Sequence, residues 1–326
     1  MTQTQHTPHF GLGVALALLA AVGFSAKAIF VKLAYDSASV DAITLLALRM
    51  AFSVPVFFGA ALWSSRQSQA KTLHRRDWLL IAGLGCIGYY LSSLLDFMGL
   101  KYLSAGLERL ILFLYPTMTV LLSAAIFKHP VSRLHIIALV ISYAGIALAF
   151  AHQLPHRSND MLLGAGLVFA STFSYSAYLT GAGHAIRQIG AIRFTSLTMI
   201  VACLITLVHF ASTHTLSALL LPWRVYGLSL GMALFSTVLP VFMLSAAIRI
   251  INPGRTALIG SIGPVATIFM GYLFLNETID SLQIAGSILV LAGVLLISLS
   301  NKQISAPLSA PAPLAARRAA QPDSAA

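Results

Sequence analysis

Residues Gly99–Thr119, GLKYLSAGLERLILFLYPTMT, lie without a gap over residues Ala247–Thr267, AIRIINPGRTALIGSIGPVAT. Gly106 meets Gly254, Pro116 meets Pro264 and Thr119 meets Thr267. Carried further in the same register, Gly145 falls on Gly293, and Leu110, Ile111, Leu134, Ile136, Ala144 and Leu148 fall on identical residues. Apolar segments match one another readily by chance, so the Leu and Ile identities decide little. Gly and Pro carry the reading, because each stands where the backbone requires it. A shorter match, Ala47-x-Arg49 over Ala191-x-Arg193, extends the pattern toward the N-terminus at a slightly different offset. The chain reads as two related units in tandem.

Composition says what solvent those units face. Of 326 residues, 58% are hydrophobic and 9% charged, against about 25% charged in soluble domains, so the surface must face lipid. Ten apolar stretches approach the ~20 residues that cross a hydrocarbon core. They are Phe10–Val31, Ala42–Trp63, Trp78–Leu100, Ser104–Phe127 and Leu134–Ala151, then Met161–Gly181, Ile192–Ala211, Val225–Ile248, Gly254–Leu275 and Leu282–Ser300. Backbone polar groups cannot go unpaired in lipid, so each stretch is predicted to be a helix. The segment Met1–Phe10 holds no Lys or Arg, unlike a secretory leader, so the first helix is expected to be retained.

The fold predicted is therefore an all-α polytopic membrane protein with ten transmembrane helices. Residues 10–151 and 161–300 form two five-helix repeats, with a segment 1–9 before them and a tail 301–326 after them. Five is odd, so the second repeat must be inserted upside down relative to the first, an arrangement that recurs in secondary transporters. With both termini cytoplasmic, the inner gaps, the span ends beside them and the tail hold Arg66, Lys71, Arg75, Arg76, Lys128, Arg133, Arg187, Arg193, Arg249, Arg255, Lys302, Arg317 and Arg318. The outer gaps hold only Lys32, Lys101, Arg157 and Arg224, which satisfies the positive-inside rule. That placement also accounts for the net charge of +11 without nucleic acid, whose binders gather basic residues on one face beside aromatics. The tail from Ala306 is rich in Ala and Pro and reads as disordered.

On Ala47-Leu48-Arg49, on Gly99-Leu100-Lys101-Tyr102-Leu103-Ser104-Ala105-Gly106, on Pro116, Pro264 and Asn276-Glu277, the chain resembles the drug/metabolite transporter superfamily, in its EamA-type ten-helix branch. The resemblance covers Phe10 to Ser300. It implies metabolite transport by alternating access, often efflux of amino acids or related compounds, with some members importing. Glu108-Arg109 departs from the small or apolar residues usual there, so the substrate does not transfer with the resemblance.

Apart from Arg193 and Arg255, each second in its span, five charges fall within apolar spans: Lys27, Arg49, Asp96, Glu108 and Arg109. At about 2.5–3.5 kcal/mol each they cost on the order of ten kcal/mol, which requires mutual pairing or a wet cavity. In the repeat register Glu108, Arg109 and Asp96 meet Thr256, Ala257 and Leu244, so the first half carries the charge. Helical spacing puts Tyr89, Ser92, Ser93 and Asp96 on one face, as it does Ser104, Glu108, Tyr115 and Thr119, and Ser171, Ser174, Tyr175 and Tyr178. Glu108, with Asp96, is the expected coupling site, because low dielectric disfavours an ionised carboxylate and lets it exchange a proton. A fixed ion pair with Lys27, Arg49 or Arg109 is the other reading. Arg49, matched by Arg193, leans toward structure, and Lys27 stands equally as a substrate contact or a snorkelling residue. Tyr89, Tyr115 and Tyr175 are expected in the cavity because a buried phenol needs a polar partner. Ser and Thr often serve close packing instead. Pro116, Pro240 and Pro264 are expected to kink their helices.

No HExxH or Walker loop is present, so metalloprotease and ATP-driven classes lack their parts. Cys86 and Cys203 form no CxxC or Cys/His cluster, so no metal and no cofactor is expected. The histidines, among them His74, His129, His152, His156 and His214, and the tripeptide Asn276-Glu277-Thr278 are given no role. The expected function is proton-coupled efflux of an amino acid or related zwitterion or cation across a bacterial inner membrane. An uptake carrier of the same family is the alternative, and a channel or non-transporting receptor the alternative of another class. Expected partners are the substrate, the bilayer and protons, with a homodimer left open.

Overall fold

The computed structural model describes residues 10–66, 72–128, 133–151, 159–251 and 253–304. Segments 1–9 and 305–326, with Lys71, His129, His152, His156, Arg157, Arg317 and Arg318, lie outside the described residues. Among those described, all regular structure is helical: α1 (Phe10–Ser37), α2 (Ala42–Ser65), α3 (Arg75–Gly99), α4 (Ala105–Phe127), α5 (Arg133–Ala151), α6 (Asn159–Ile189), α7 (Ala191–Thr213), α8 (Trp223–Ile251), α9 (Pro253–Gly260), α10 (Gly263–Leu275) and α11 (Ser281–Ile304). The ten predicted stretches fall on these helices. Seven, on α1 to α4 and α6 to α8, are long and apolar enough to cross a membrane. Arg133–Ala149, Gly263–Leu275 and Ser281–Leu296 are shorter apolar helices. Leu19, Phe58, Trp63, Phe173, Val208 and Phe269 are each more than half exposed, a surface suited to lipid rather than water.

The helix boundaries repeat as the sequence does. α4 is interrupted after Leu112 and resumes at Tyr115, with Pro116 second in the new segment. The same interruption separates α9 from α10, and Pro264 is second in α10. Proline has no N–H to give the carbonyl four residues back, so each helix breaks there instead of bending gently. Both following segments end on a left-handed residue, Lys128 (φ 55°) and Asn276 (φ 54°). α3 and α8 each contain a π-helical segment, Cys86–Leu91 and Leu234–Val238, and Pro240 follows the second of them.

α5 and α11 pack on glycine. A methyl on Gly145 would stand 2.6 Å from the Gly286 carbonyl oxygen, and one on Gly293 would stand 2.5 Å from that of Ala138. Backbone cannot give way as a side-chain tip can. Gly145→Ala is therefore expected to destabilise the protein by about 1–3 kcal/mol, read as a lower unfolding temperature in detergent.

Asp41 and Glu277 cap helices. Asp41 Oδ1 accepts from the Ile43 and Thr44 N–H groups at 2.8 and 3.0 Å, at the start of α2. Burial pushes its carboxyl up, but the Thr44 hydroxyl, these N–H groups and His214 outweigh that and hold it below the ordinary carboxylate range. Because the folded value is depressed, the stabilisation is complete above the unfolded value of about 3.9 and is lost as pH falls through the folded one. Asp41→Ala is expected to cost about 0.5–2 kcal/mol at neutral pH, the deficit shrinking below about pH 4 in unfolding measured against pH. Glu277, in the loop after α10, accepts from the Ala105 N–H at 2.8 Å and so caps α4 from a distant part of the chain. The absent side chain of Gly271 leaves room for it: a methyl there would stand 2.8 Å from Glu277 Oε2.

Candidate substrate cavity

A cavity of about 360 Å³ lies between α1, α2, α3, α4, α6, α7, α8 and α9. The predicted α3 stripe of Tyr89, Ser92, Ser93 and Asp96 lines it in full. The π-helical turns help to shape this wall, since a widened turn re-aims side chains and frees carbonyls. Ser174 donates at 2.6 Å to the Ile87 carbonyl, which also accepts the Ser92 N–H across the π turn, and Ser171 donates to the Ser92 carbonyl at 2.7 Å. Tyr89 and Thr237, one on each π segment, both face the cavity.

The charges sort into two groups. Lys27 Nζ lies 2.5 Å from Asp96 Oδ2 and 3.1 Å from Glu108 Oε1, so one ammonium holds two carboxylates. Asp96 is 2% exposed and Glu108 0%, and Asp96 Oδ1 and Glu108 Oε2 have no hydrogen-bond partner. Lys27 and Asp96 line the cavity, whereas Glu108 stands behind them. Glu108 therefore touches a ligand only through its neighbours. Arg109, next to it in sequence, points elsewhere, as a helical step of about 100° requires.

Arg49 and Arg109 make the second group. Arg49 Nε donates to Thr237 Oγ1 at 2.9 Å, and its guanidinium lies 5.5 Å from the centre of the Phe97 ring. It is 6% exposed, lines the cavity, and its Nη1 has no partner. Arg193 is not its structural counterpart: it is third in α7 and bonds Ser65, whereas Arg49 is eighth in α2. Arg109 crosses to α10, where a methyl on Gly263 would stand 2.9 Å from its Nη2. It too lines the cavity, and its Nε is buried without a partner.

Tyr115 and Tyr175 complete one wall, their ring centres 5.7 Å apart and edge to face. Tyr178 stacks on Tyr175 and donates to the Tyr89 hydroxyl at 3.2 Å, bracing the wall from behind. Ser104 caps α4 through the Leu107 N–H, and the Thr119 hydroxyl returns to the Tyr115 carbonyl; neither lines the cavity. Phe24, Phe113, Thr172, Ser236 and Thr237 line it without having been singled out in sequence. The polar residues of α8 sit on a widened turn, which a search at ordinary helical spacing passes over. Pro116 and Pro264 start helical segments after breaks, and Pro240 packs against α1, where a methyl on Gly23 would stand 2.6 Å from its Cγ. Among the described residues, no group of His, Cys, Asp and Glu could hold a metal ion.

Comparison with known proteins places this architecture. The profile of the EamA-like transporter family matches residues 11–151 and 162–299. A Bacillus subtilis (strain 168) protein described as the uncharacterized transporter YcbK is 31% identical over 279 residues, 84% of this chain and 88% of that one. An uncharacterized transporter of Synechocystis sp. (strain ATCC 27184 / PCC 6803 / Kazusa) is 23% identical over 322 residues, 88% of this chain and 93% of its own. A solved crystal structure of 16% identity superposes with a TM-score of 0.57 over 89% of this chain and 98% of that one, a likeness of fold. The chain is a membrane transporter and belongs to the EamA-like transporter family, within the drug/metabolite transporter superfamily.

Proposed function

We propose that the chain is a secondary active transporter that exports a small polar metabolite of amino-acid type by proton-coupled alternating access. In this reading ten helices cross a bacterial inner membrane as two inverted five-helix repeats, 10–151 and 161–300, with both termini cytoplasmic. The matching breaks before Pro116 and Pro264 and the paired π segments support the repeat. A cavity between such halves is where an alternating-access carrier holds its substrate.

The observation that carries the mechanism is the cluster of Lys27 and Asp96 in the cavity wall with Glu108 behind them. Two buried carboxylates on one ammonium give a site that can take up one proton without leaving a lone charge in the membrane. A fixed structural pair would need only one of them. Protonation would loosen one carboxylate from Lys27 and allow the helices carrying them, α1, α3 and α4, to move apart.

Purified protein in liposomes tests the reading. Loaded with unlabelled amino acids and given labelled ones outside, a carrier shows saturable counterflow, and an imposed pH gradient drives accumulation. Unsaturable flux without exchange would mean a channel, and exchange indifferent to the pH gradient would remove proton coupling.

A further inference from the structure

We propose that Arg49 and Arg109 are the anion-binding half of the substrate site, so that the transported compound carries a single carboxylate on a flat, largely apolar body. The proposal rests on the transport reading and replaces its amino-acid substrate with a monoanionic acid.

Both acidic groups in the cavity region are already held by Lys27. Asp96 Oδ1 is still open on the wall, but a cationic ligand that reached it would meet the Lys27 ammonium held on the other oxygen. The guanidinium groups are in the opposite position. No carboxylate among the described residues lies within 4.0 Å of Arg49 or Arg109. Arg49 is 6% exposed, its Nε is taken by Thr237, and its Nη1 is buried on the cavity wall without an acceptor. Leaving a charged donor unsatisfied away from water is costly, so an oxygen-bearing ligand gains what the protein does not supply. Arg109 repeats the arrangement from α4, its Nε buried and unpartnered and its far end fitted over Gly263. Two guanidiniums from two helices thus share one cavity.

Charge balance fixes the valence. Lys27, Arg49 and Arg109 against Asp96 and Glu108 leave one positive charge unmatched, which a monoanion cancels and a phosphate dianion oversteps. Shape fixes the body. Tyr89, Tyr115, Tyr175, Phe24 and Phe113 present ring faces and edges, and about 360 Å³ lies at the small end of ligand pockets. An aromatic or similarly flat acid fits both.

Full-length protein in detergent is titrated with 3-phenylpropionate, its neutral amide, 2-phenylethylamine and phenylalanine, following the unfolding temperature and equilibrium binding. A ligand that binds only the folded state raises that temperature. Stabilisation by 3-phenylpropionate but not by its amide or by 2-phenylethylamine is expected. Arg109→Gln and Arg49→Lys are each expected to weaken its binding at least tenfold, the second because lysine keeps the charge but loses the fork. Arg109→Gln keeps the test open should the Arg49 variant fail to fold.

Stabilisation by the amine and not the acid overturns the proposal, as does acid binding indifferent to both variants or no binding of any probe. Acid binding without counterflow in liposomes would keep this site and remove the carrier reading. Counterflow of the amine without acid binding would keep the carrier and remove this site.

Discussion

Lys27→Met is expected to lower the stability of the protein by about 3–5 kcal/mol, the loss typical when one partner of a buried ion pair is removed. Lys27 is the only group within ion-pair distance of Asp96 or Glu108 among the described residues. Without it two buried carboxylates face each other with no cation, and neither has a second hydrogen bond to fall back on. Methionine keeps most of the side-chain length, so the loss reports charge rather than packing. The control is the triple variant Lys27→Met, Asp96→Asn, Glu108→Gln, which removes every member of the cluster. Its unfolding temperature should return most of the way to that of the parent, because a neutral set of similar shape avoids the desolvation of all three ions. If the single and triple variants unfold alike, the cluster contributes packing alone.

Glu108→Gln should uncouple transport from the pH gradient while leaving exchange intact. Glutamine has the shape of glutamic acid but binds no proton, and Glu108 stands behind the cavity wall, so the ligand keeps its direct contacts. Counterflow in liposomes is expected near the parental rate. Accumulation against a one-unit pH gradient, about tenfold for each coupled proton, is expected to fall to equilibration. Asp96→Asn should differ in kind, because Asp96 faces the cavity and its loss would also alter ligand affinity. A Glu108→Gln protein that still accumulates substrate would move the coupling to Asp96 alone or out of this cluster.

Much of this site was legible in the sequence because the membrane makes it so. Water cannot stabilise a stray charge in lipid, so Lys27, Asp96 and Glu108 announce themselves by being there at all. The α3 stripe from Tyr89 to Asp96 survived the π-helical turn within it, since positions three, four and seven apart still share a face. The pairing of Arg49 with Arg193 does not follow the helix starts. The match rests on an Ala-x-Arg triplet, and the helix starts place Thr198, not Arg193, opposite Arg49. The withdrawal of Glu108 behind Lys27 could not be read either, because helical spacing gives the face of a residue but not which neighbour stands in front of it. Gly263 is the quietest of these positions. It is legible only once Arg109 is seen lying across it, and in the repeat register Tyr115 takes its place.

The Glu277 cap on α4 has a consequence for how such a carrier rests. In the repeat register the residue corresponding to Ala105 is Pro253, and proline has no N–H to offer an acceptor. On the inverted-repeat reading, this cap has no chemical equivalent in the second half. A cap of this kind contributes about 0.5–2 kcal/mol, enough to skew the waiting populations of the two states by roughly twofold to thirtyfold. If the cap breaks in the opposite state of such a carrier, the idle protein rests mainly in the capped one, and half-cycles begun from there start sooner. Such a bias alters the pace of travel in each direction but not the destination, which only the gradients across the bilayer decide.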